Sequence, residues 1–125
     1  MRIVVIDDEP ELVLLFTTVL TDAGHDARGA HDGREGLRLL EQEAADLVIT
    51  DLLMPGHDGL EVIAAVRQRW PLTRIVAMSG GGRGSPEMYL RMAREFGVQA
   101  SLTKPVGLDE LVATVARVLG AGTSD

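Results

Sequence analysis

The sequence predicts a doubly wound α/β domain with a five-stranded parallel sheet and five helices. Short β-branched runs recur along the chain, and each is followed by a segment with helical periodicity. The clearest runs are apolar throughout rather than alternating, which is typical of strands that are buried on both faces. Helices therefore have to cover both sides of the sheet.

Length and composition indicate one folded domain over residues 1–125. A chain of 125 residues buries about two thirds of the surface that its unfolded form exposes, so it needs neither disulfides nor a metal to fold. The chain contains no Cys, which excludes thiolate zinc sites and thiol chemistry.

The charge balance argues against several classes of partner. Lys and Arg number 12 against 19 Asp and Glu, which gives a net charge of −7. A surface this acidic repels phosphate backbones, so direct nucleic-acid binding is not expected. No apolar stretch is long enough for a membrane span or a signal peptide, so we expect a cytoplasmic protein without membrane contact.

Five segments are predicted as strands. The segment at residues 25–30 is polar and short, which favours an edge position in the sheet. The other four strands are predicted at residues 3–6, 47–49, 75–78 and 100–103.

Helices are predicted between these strands. The third is expected from about Gly59 to Arg69, because Pro71 blocks continuation. The first and last carry apolar stripes with a period near 3.6. The stripes are Leu12, Leu15, Phe16, Val19 and Leu20 in the first helix, and Leu108, Leu111, Val112, Val115 and Leu119 in the last.

Helix ends carry recognisable signals. Asp32 with Glu35 fits a capping box, and Ser85 before Pro86 places a cap residue ahead of a proline at the first helical position. Three glycines are expected to end helices in the left-handed conformation: Gly24, Gly97 and Gly120.

A few large or basic side chains are not assigned to a functional site. Trp70, just before Pro71, is expected to cover the end of the third helix. Four arginines are interpreted as scattered cations: Arg67, Arg69, Arg74 and Arg83.

Polar side chains follow four of the predicted strands at the point where each strand ends. They are Asp7, Asp8, Asp51, Ser79 and Lys104. In an open parallel sheet, ligands bind at the carboxyl ends of the strands, so these side chains are expected at one rim. Each has an ordinary explanation on its own; Asp8, for instance, could be the N-cap of the next helix.

Taken together, three carboxylates at one rim are costly, because they raise one another's pKa values unless a cation lies among them. Oxygen ligands without His or Cys suit Mg²⁺, and Asp7 and Asp8 are expected to hold it. Asp51, on the middle strand, is the best candidate to accept a phosphoryl group. Lys104 would neutralise a phosphoryl oxygen, and Ser79 would donate a hydrogen bond to another.

Four motifs occur in one order: VIDDEP at residues 5–10, DLLMPGHDG at 51–59, MSG at 78–80 and TKP at 103–105. Over nearly the whole chain, the sequence resembles the receiver domain of bacterial two-component response regulators. The resemblance implies a flavodoxin-like sheet in the order 2-1-3-4-5.

The resemblance also implies a mechanism. Asp51 would take a phosphoryl group from phosphohistidine on a sensor histidine kinase or phosphotransfer protein. Mg²⁺ would be bound by Asp8, Asp51 and the carbonyl of Leu53, with Asp7 reaching it through water. Ser79 would move toward the phosphoryl group, and Lys104 would pair with it, helped by a cis bond before Pro105.

Two departures from the family pattern bear on the switch. The family often has Tyr or Phe three residues before the lysine, where this chain has Ser101. Residues 80–84 contain four glycines, and we hypothesise that phosphorylation orders this loop. The alternative is that the glycines only accommodate a tolerated insertion.

The expected function is a phosphorylation-controlled signalling switch. It is an enzyme only in its own phosphorylation and dephosphorylation. Its output would be contact with a downstream protein target or a missing effector domain, through the fourth helix, fifth strand and fifth helix. A phosphorylation-linked dimer is another expected partner arrangement.

Three other functions agree less well with the sequence. A metal-dependent phosphatase with an Asp nucleophile usually has Asp-x-Asp on the first strand, whereas Asp7 and Asp8 are adjacent. A flavin-binding module would need a Ser/Thr/Gly-rich phosphate loop where this chain has Glu9 and Glu11. A degenerate receiver used only for docking would not need the complete set of rim residues.

Overall fold

The computed structural model describes residues 1–54, 57–80, 91 and 93–121. Its main sheet has five strands, which are β1 (Arg2–Ile6), β2 (Asp26–Ala30), β3 (Leu47–Asp51), β4 (Arg74–Ser79) and β5 (Ala100–Thr103). All neighbouring strands pair in parallel, in the order β2-β1-β3-β4-β5. The predicted topology and the edge position of β2 are confirmed.

The predicted helices alternate with these strands. Four have complete bounds: α1 (Pro10–Asp22), α2 (Gly33–Gln42), α3 (Gly59–Arg69) and α5 (Leu108–Ala121). Helical residues 91 and 93–95 lie before β5 and belong to the predicted fourth helix, α4. The bounds of α3 agree with the prediction.

Side chains alternate between the two faces of the sheet, and each face has its own core. Val4 and Ile6 of β1 belong to the core that includes Ile63 and Val66 of α3. Ile3 and Val5 point to the other face, where they pack with residues of α1 and α5 such as Phe16. The side chains of residues 3–6 in β1 are all fully buried, which explains the continuous apolar run.

The buried face of α1 differs from the predicted stripe. Leu15 is 46% exposed, whereas Val13 is buried together with Phe16 and Leu20. The reason is Gly29 in β2, because a β-carbon there would collide with Val13 Cγ1. The absent side chain lets α1 settle onto β2 through Val13, which turns Leu15 toward solvent.

The helix-end predictions have mixed outcomes. Asp32 Oδ1 accepts from the Glu35 backbone N–H at 2.8 Å, but the Glu35 carboxylate accepts from His31 N–H at 2.7 Å instead of from Asp32. Gly24 and Gly97 have φ values of 100° and 79°, as predicted. The prediction for Gly120 is wrong.

Gly120 lies inside α5, which continues to Ala121. Val118 and Leu119 are buried against the core, and their packing holds the last turn in helical conformation. The cap predicted at Ser85 and Pro86 lies outside the described residues.

A short antiparallel ladder was not predicted. Leu53–Met54 pairs with His57–Asp58 directly after β3. Four residues are too few to show a period of two in the sequence.

At the amino end of the sheet, Arg67 donates five hydrogen bonds to neutral acceptors. The acceptors are the carbonyls of Phe96 (3.0 Å), Pro71 (3.0 Å), Thr73 (3.0 Å) and Gly97 (3.4 Å) and the side-chain oxygen of Gln99 (3.3 Å). Arg67 thus joins the turn before β4 to the turn before β5. Its interpretation as a scattered cation is wrong.

Arg69 is also engaged. Its guanidinium lies 4.5 Å from the centre of the Trp70 ring and 2.8 Å from a Glu41 oxygen. Trp70 itself is half-buried and packs against the core at the end of α3, as predicted. Arg83 lies outside the described residues.

Candidate functional site

The carboxyl ends of four strands converge on the predicted rim. Asp7 follows β1, Asp51 ends β3, Ser79 ends β4 and Lys104 follows β5. Parallel pairing in register brings these positions together; Asp51 lies beside Met78, and Ser79 lies beside Thr103. The sheet therefore positions side chains that are up to 97 residues apart in sequence, from Asp7 to Lys104.

Three carboxylates form a cluster at this rim. Asp7, Asp8 and Asp51 each offer an oxygen atom, and these atoms lie within 4.8 Å of one another. Asp7 is fully buried and Asp51 is 4% exposed, whereas Asp8 faces solvent. The cluster is thus open on the Asp8 side and closed beneath.

Local backbone contacts fix the Asp7 carboxylate. The Asp7 N–H donates to the Ala30 carbonyl at 3.1 Å, which continues the ladder between β1 and β2. Asp7 Oδ1 accepts from the Glu9 N–H at 2.9 Å. The N-cap of α1 is Glu9, with Pro10 at the first helical position, so the alternative that Asp8 is the N-cap is wrong.

Lys104 is the cation of the rim. Its Nζ lies 2.7 Å from Asp7 Oδ2, 3.2 Å from Asp51 Oδ2 and 3.8 Å from Glu9 Oε1. Burial lowers the pKa of the ammonium, but hydrogen bonds and negative charges of Asp7 and Asp51 outweigh that effect and raise it overall. Lys104 is therefore charged at neutral pH.

Ser79 brings a hydroxyl into the same rim. It is 4% exposed, and its Oγ has no hydrogen-bond partner among the described residues. A buried hydroxyl without a partner costs free energy, so this atom is suited to a group that arrives from outside.

The backbone ties Ser79 to Lys104. The Lys104 N–H donates to the Ser79 carbonyl at 2.7 Å. Gly80 has a φ of 111°, and a β-carbon there would lie 3.2 Å from the Lys104 backbone nitrogen. The peptide bond between Lys104 and Pro105 is cis, as the resemblance implied.

The turn after β3 also has little spare room. A β-carbon on Gly59 would collide with the Asp51 carbonyl and lie 2.6 Å from the Leu52 Cα. The Gly59 N–H donates to the Leu52 carbonyl at 3.1 Å. Leu53 lies in this turn, and a role for its carbonyl as a metal ligand stays a prediction.

The remaining switch predictions concern β5 and the glycine-rich loop. Ser101 is exposed on β5, so a small side chain occupies the position where the family often has an aromatic. Of the glycine-rich loop, only Gly80 lies within the described residues, so the ordering hypothesis is not tested.

Glu9 is the rim residue that sequence reasoning missed. From the sequence, Glu9 is only a negative charge that disfavours a phosphate-binding loop. Its position next to Asp8 could have indicated that it lies at the rim. Its contact with Lys104, however, depends on where β5 ends. No other feature of the sequence indicates the contact between Glu9 and Lys104.

The donor set fits a hard divalent cation. It consists of carboxylate oxygens with no His or Cys, two of them on buried residues. Three acidic side chains lie within 4.0 Å of the one ammonium, and Asp8 adds a fourth negative charge to the cluster. This excess of negative charge is what a Mg²⁺ ion would offset.

Within the described ranges, no helix is both long and apolar enough to cross a bilayer.

A family model described as the response regulator receiver domain matches residues 3–116. Among curated proteins, the transcriptional regulatory protein TcrA of Mycobacterium tuberculosis is 33% identical over 112 residues. That match covers 90% of this chain and 43% of TcrA, so the chain spans less than half of this relative.

Solved structures of other proteins are similar to this chain over nearly its whole length. The structure of NtrX from Brucella abortus superposes with a TM-score of 0.89 at 28% identity, covering 98% of this chain and 27% of NtrX. The chemotaxis protein CheY4 of Vibrio cholerae gives a TM-score of 0.84 at 29% identity, covering 94% of this chain and 97% of CheY4.

Proposed function

This chain belongs to the response regulator receiver domain family of two-component systems, and on that premise we propose that Asp51 accepts a phosphoryl group from a sensor histidine kinase or a phosphotransfer protein. Receiver domains interact with histidine kinases and effector domains, and they act as signalling switches rather than as general enzymes. The observation that supports the proposal is the rim, where a carboxylate cluster and an ammonium meet a buried hydroxyl that has no partner among the described residues.

Asp51 is the nucleophile in this proposal. A carboxylate oxygen attacks phosphorus, the N–P bond of phosphohistidine breaks, and its electron pair leaves with the imidazole nitrogen. Asp51 ends the middle strand and is 4% exposed, so the aspartyl phosphate would be shielded from bulk water. Its later hydrolysis would return the carboxylate.

Lys104 and Ser79 would bind the transferred group. Lys104 Nζ already lies 3.2 Å from Asp51 Oδ2, within reach of an oxygen added there. The Ser79 hydroxyl is a donor without a partner among the described residues, and a phosphoryl oxygen would satisfy it.

The carboxylates would hold Mg²⁺. Asp8, Asp51 and the Leu53 carbonyl would bind it, with Asp7 as an indirect ligand. Bound Mg²⁺ supplies positive charge that offsets the negative charge of the transferring phosphoryl group.

The proposed output is a change in protein contacts, made by one receiver domain over residues 1–125 in the cytoplasm. The proposed surface comprises α4, β5 and α5, with Ser101 exposed on it. A downstream protein, an effector domain or a second phosphorylated copy would bind there.

Intact mass spectrometry after incubation with Mg²⁺ and acetyl phosphate tests the proposal. Wild type should gain the mass of one phosphoryl group, and Asp51→Asn or a chelator should abolish the gain. Asp109→Asn removes an exposed carboxylate at the start of α5 and should leave the gain unchanged. If neither acetyl phosphate nor phosphoramidate phosphorylates a folded wild-type chain that binds Mg²⁺, the proposal is wrong.

A further inference from the structure

We propose that Glu9 makes the site select phosphoryl donors by charge. It would disfavour doubly negative acyl phosphates relative to singly negative, nitrogen-linked donors. The inference rests on the proposed function and deepens it by naming the class of donor that the site prefers.

Glu9 is held at the rim by its backbone rather than by its carboxylate. Its N–H donates to Asp7 Oδ1 at 2.9 Å, and it occupies the N-cap position of α1 without a side-chain capping bond. The Glu9 carboxylate therefore does not cap the helix. Its one ion pair within the described part of the chain is with Lys104, at 3.8 Å, and its side chain is 64% exposed.

The carboxylate is close enough to the nucleophile to affect an arriving donor. Glu9 Oε1 lies 3.8 Å from Lys104 Nζ, and that Nζ lies 3.2 Å from Asp51 Oδ2, so the two carboxylate oxygens are at most about 7 Å apart. A phosphoryl group delivered to Asp51 thus approaches a negative charge that takes no part in the transfer.

Donors differ in the charge they bring. Acetyl phosphate is doubly negative, and transfer to Asp51 breaks its O–P bond with the electron pair leaving on acetate. Phosphoramidate carries a protonated nitrogen and is singly negative, and transfer breaks its N–P bond with the electron pair leaving on ammonia. Phosphohistidine with a protonated ring has the same net charge on the phosphoimidazole group as phosphoramidate has.

The expected size follows from Coulomb's law. In water, two unit charges about 7 Å apart repel enough to slow association by about threefold. Glu9→Gln should therefore speed phosphorylation by phosphoramidate about threefold and by acetyl phosphate about sevenfold at low salt. Release of Lys104 from Glu9 is part of the same change in charge and also favours the doubly negative donor, so the ratio between donors isolates this electrostatic effect from effects that are equal for both donors.

The experiment measures initial phosphorylation rates with both donors and Mg²⁺ for wild type, Glu9→Gln, Glu9→Asp and Glu11→Gln. Glu11→Gln is the matched control, since Glu11 is an exposed acid in the first turn of α1. A ratio of rates within one preparation is insensitive to any fraction of misfolded protein. The series is repeated at about 0.05 M and 0.5 M salt, because screening weakens interactions between exposed charges.

In support of the inference, Glu9→Gln would lower the phosphoramidate preference about two- to threefold at low salt and less at high salt. Glu9→Asp and Glu11→Gln would keep the wild-type ratio. An unchanged ratio in Glu9→Gln, with wild type phosphorylated normally, overturns the inference alone. Failure of wild type with both donors overturns the proposed function and the inference with it.

Discussion

Lys104 and Arg67 are two partly buried cations at opposite ends of one sheet, and their partners differ in kind. Lys104 lies among the carboxylates of Asp7, Asp51 and Glu9, with Asp8 in the same cluster. Arg67 bonds to four backbone carbonyls and the side-chain oxygen of Gln99, all of them neutral.

The difference distinguishes a site that can bind a ligand from a contact that only stabilises the fold. Around Lys104, negative charge exceeds positive charge, so a bound metal cation would stabilise the rim. The Lys104 ammonium could then exchange a carboxylate partner for an incoming anion. Around Arg67, five donors meet five acceptors, which leaves nothing for a ligand to satisfy. Burial lowers the pKa of Arg67, and with no carboxylate among these acceptors nothing offsets that effect.

The largest expected effect tests the charge of Lys104. Lys104→Gln should slow Mg²⁺-dependent phosphorylation of Asp51 by about 10²- to 10³-fold, because a positioned positive donor to the phosphoryl group is lost. Phosphorylation followed by intact mass would measure this. Arg67→Gln, at the other end of the sheet, should leave the rate per folded molecule within about twofold. Equal slowing in both variants would contradict the division between the two ends.

The next effect concerns the backbone at the carboxyl end. Gly59→Ala should lower the free energy of unfolding by about 3 kcal/mol, because its β-carbon would collide with the Asp51 carbonyl. Urea unfolding would measure it. Gly120→Ala is the matched control: it lies in α5 with open space around its β-carbon and should be neutral or stabilising by up to about 1 kcal/mol. Equal destabilisation by both changes would rule out the collision as the cause.

A smaller loss of stability should follow from removing the five bonds of Arg67. Arg67→Ala should lower the free energy of unfolding by about 2 kcal/mol, since the acceptors partly regain water. Arg67→Lys should recover less than half, because an ammonium has three donors and no planar fork. The loss should change little between about 0.1 and 0.5 M salt, because the partners are neutral. Full recovery by lysine would show that charge, not geometry, matters there.

The smallest expected effect is a pH dependence at the amino end. Burial and the nearby N-terminal ammonium lower the pKa of His25 in the folded chain below its usual 6.5. The unfolded chain then binds more protons below pH 6.5, so the contribution of His25 is present above that pH and lost as pH falls through it.

His25→Asn should remove this component, with a difference below about 0.5 kcal/mol because the ring is partly exposed. Urea midpoints of both proteins from pH 7 to about pH 5 would measure it. Parallel pH profiles for the two proteins would exclude a role for His25.

The fold and the residues of the rim were accessible from sequence for a simple reason. Strand runs such as residues 3–6 are continuous and end at polar residues, so topology alone places those residues at one edge. Asp7, Asp8, Asp51 and Lys104 were therefore identifiable without knowing any distance. Their catalytic roles stay predictions until phosphorylation is measured.

What sequence could not provide depends on tertiary contacts. Arg67 bonds to carbonyls, which every residue has, so no residue type marked its partners. Gly120 carries the signal of a helix end, but burial of Leu119 keeps the helix going. Leu15 matched a helical stripe, but the notch left by Gly29 decided which side of α1 is buried.

The bond from the Lys104 N–H to the Ser79 carbonyl has a consequence for sequence divergence. The backbone positions from which the hydroxyl and the ammonium extend are joined by a main-chain bond, so substitution of neighbouring side chains leaves that bond in place. Ser101 and Thr103, both exposed on β5, can therefore vary without removing that bond. Under the proposed output, selection at such positions would depend on the protein that binds this surface, so one phosphorylation site would be compatible with many different partners.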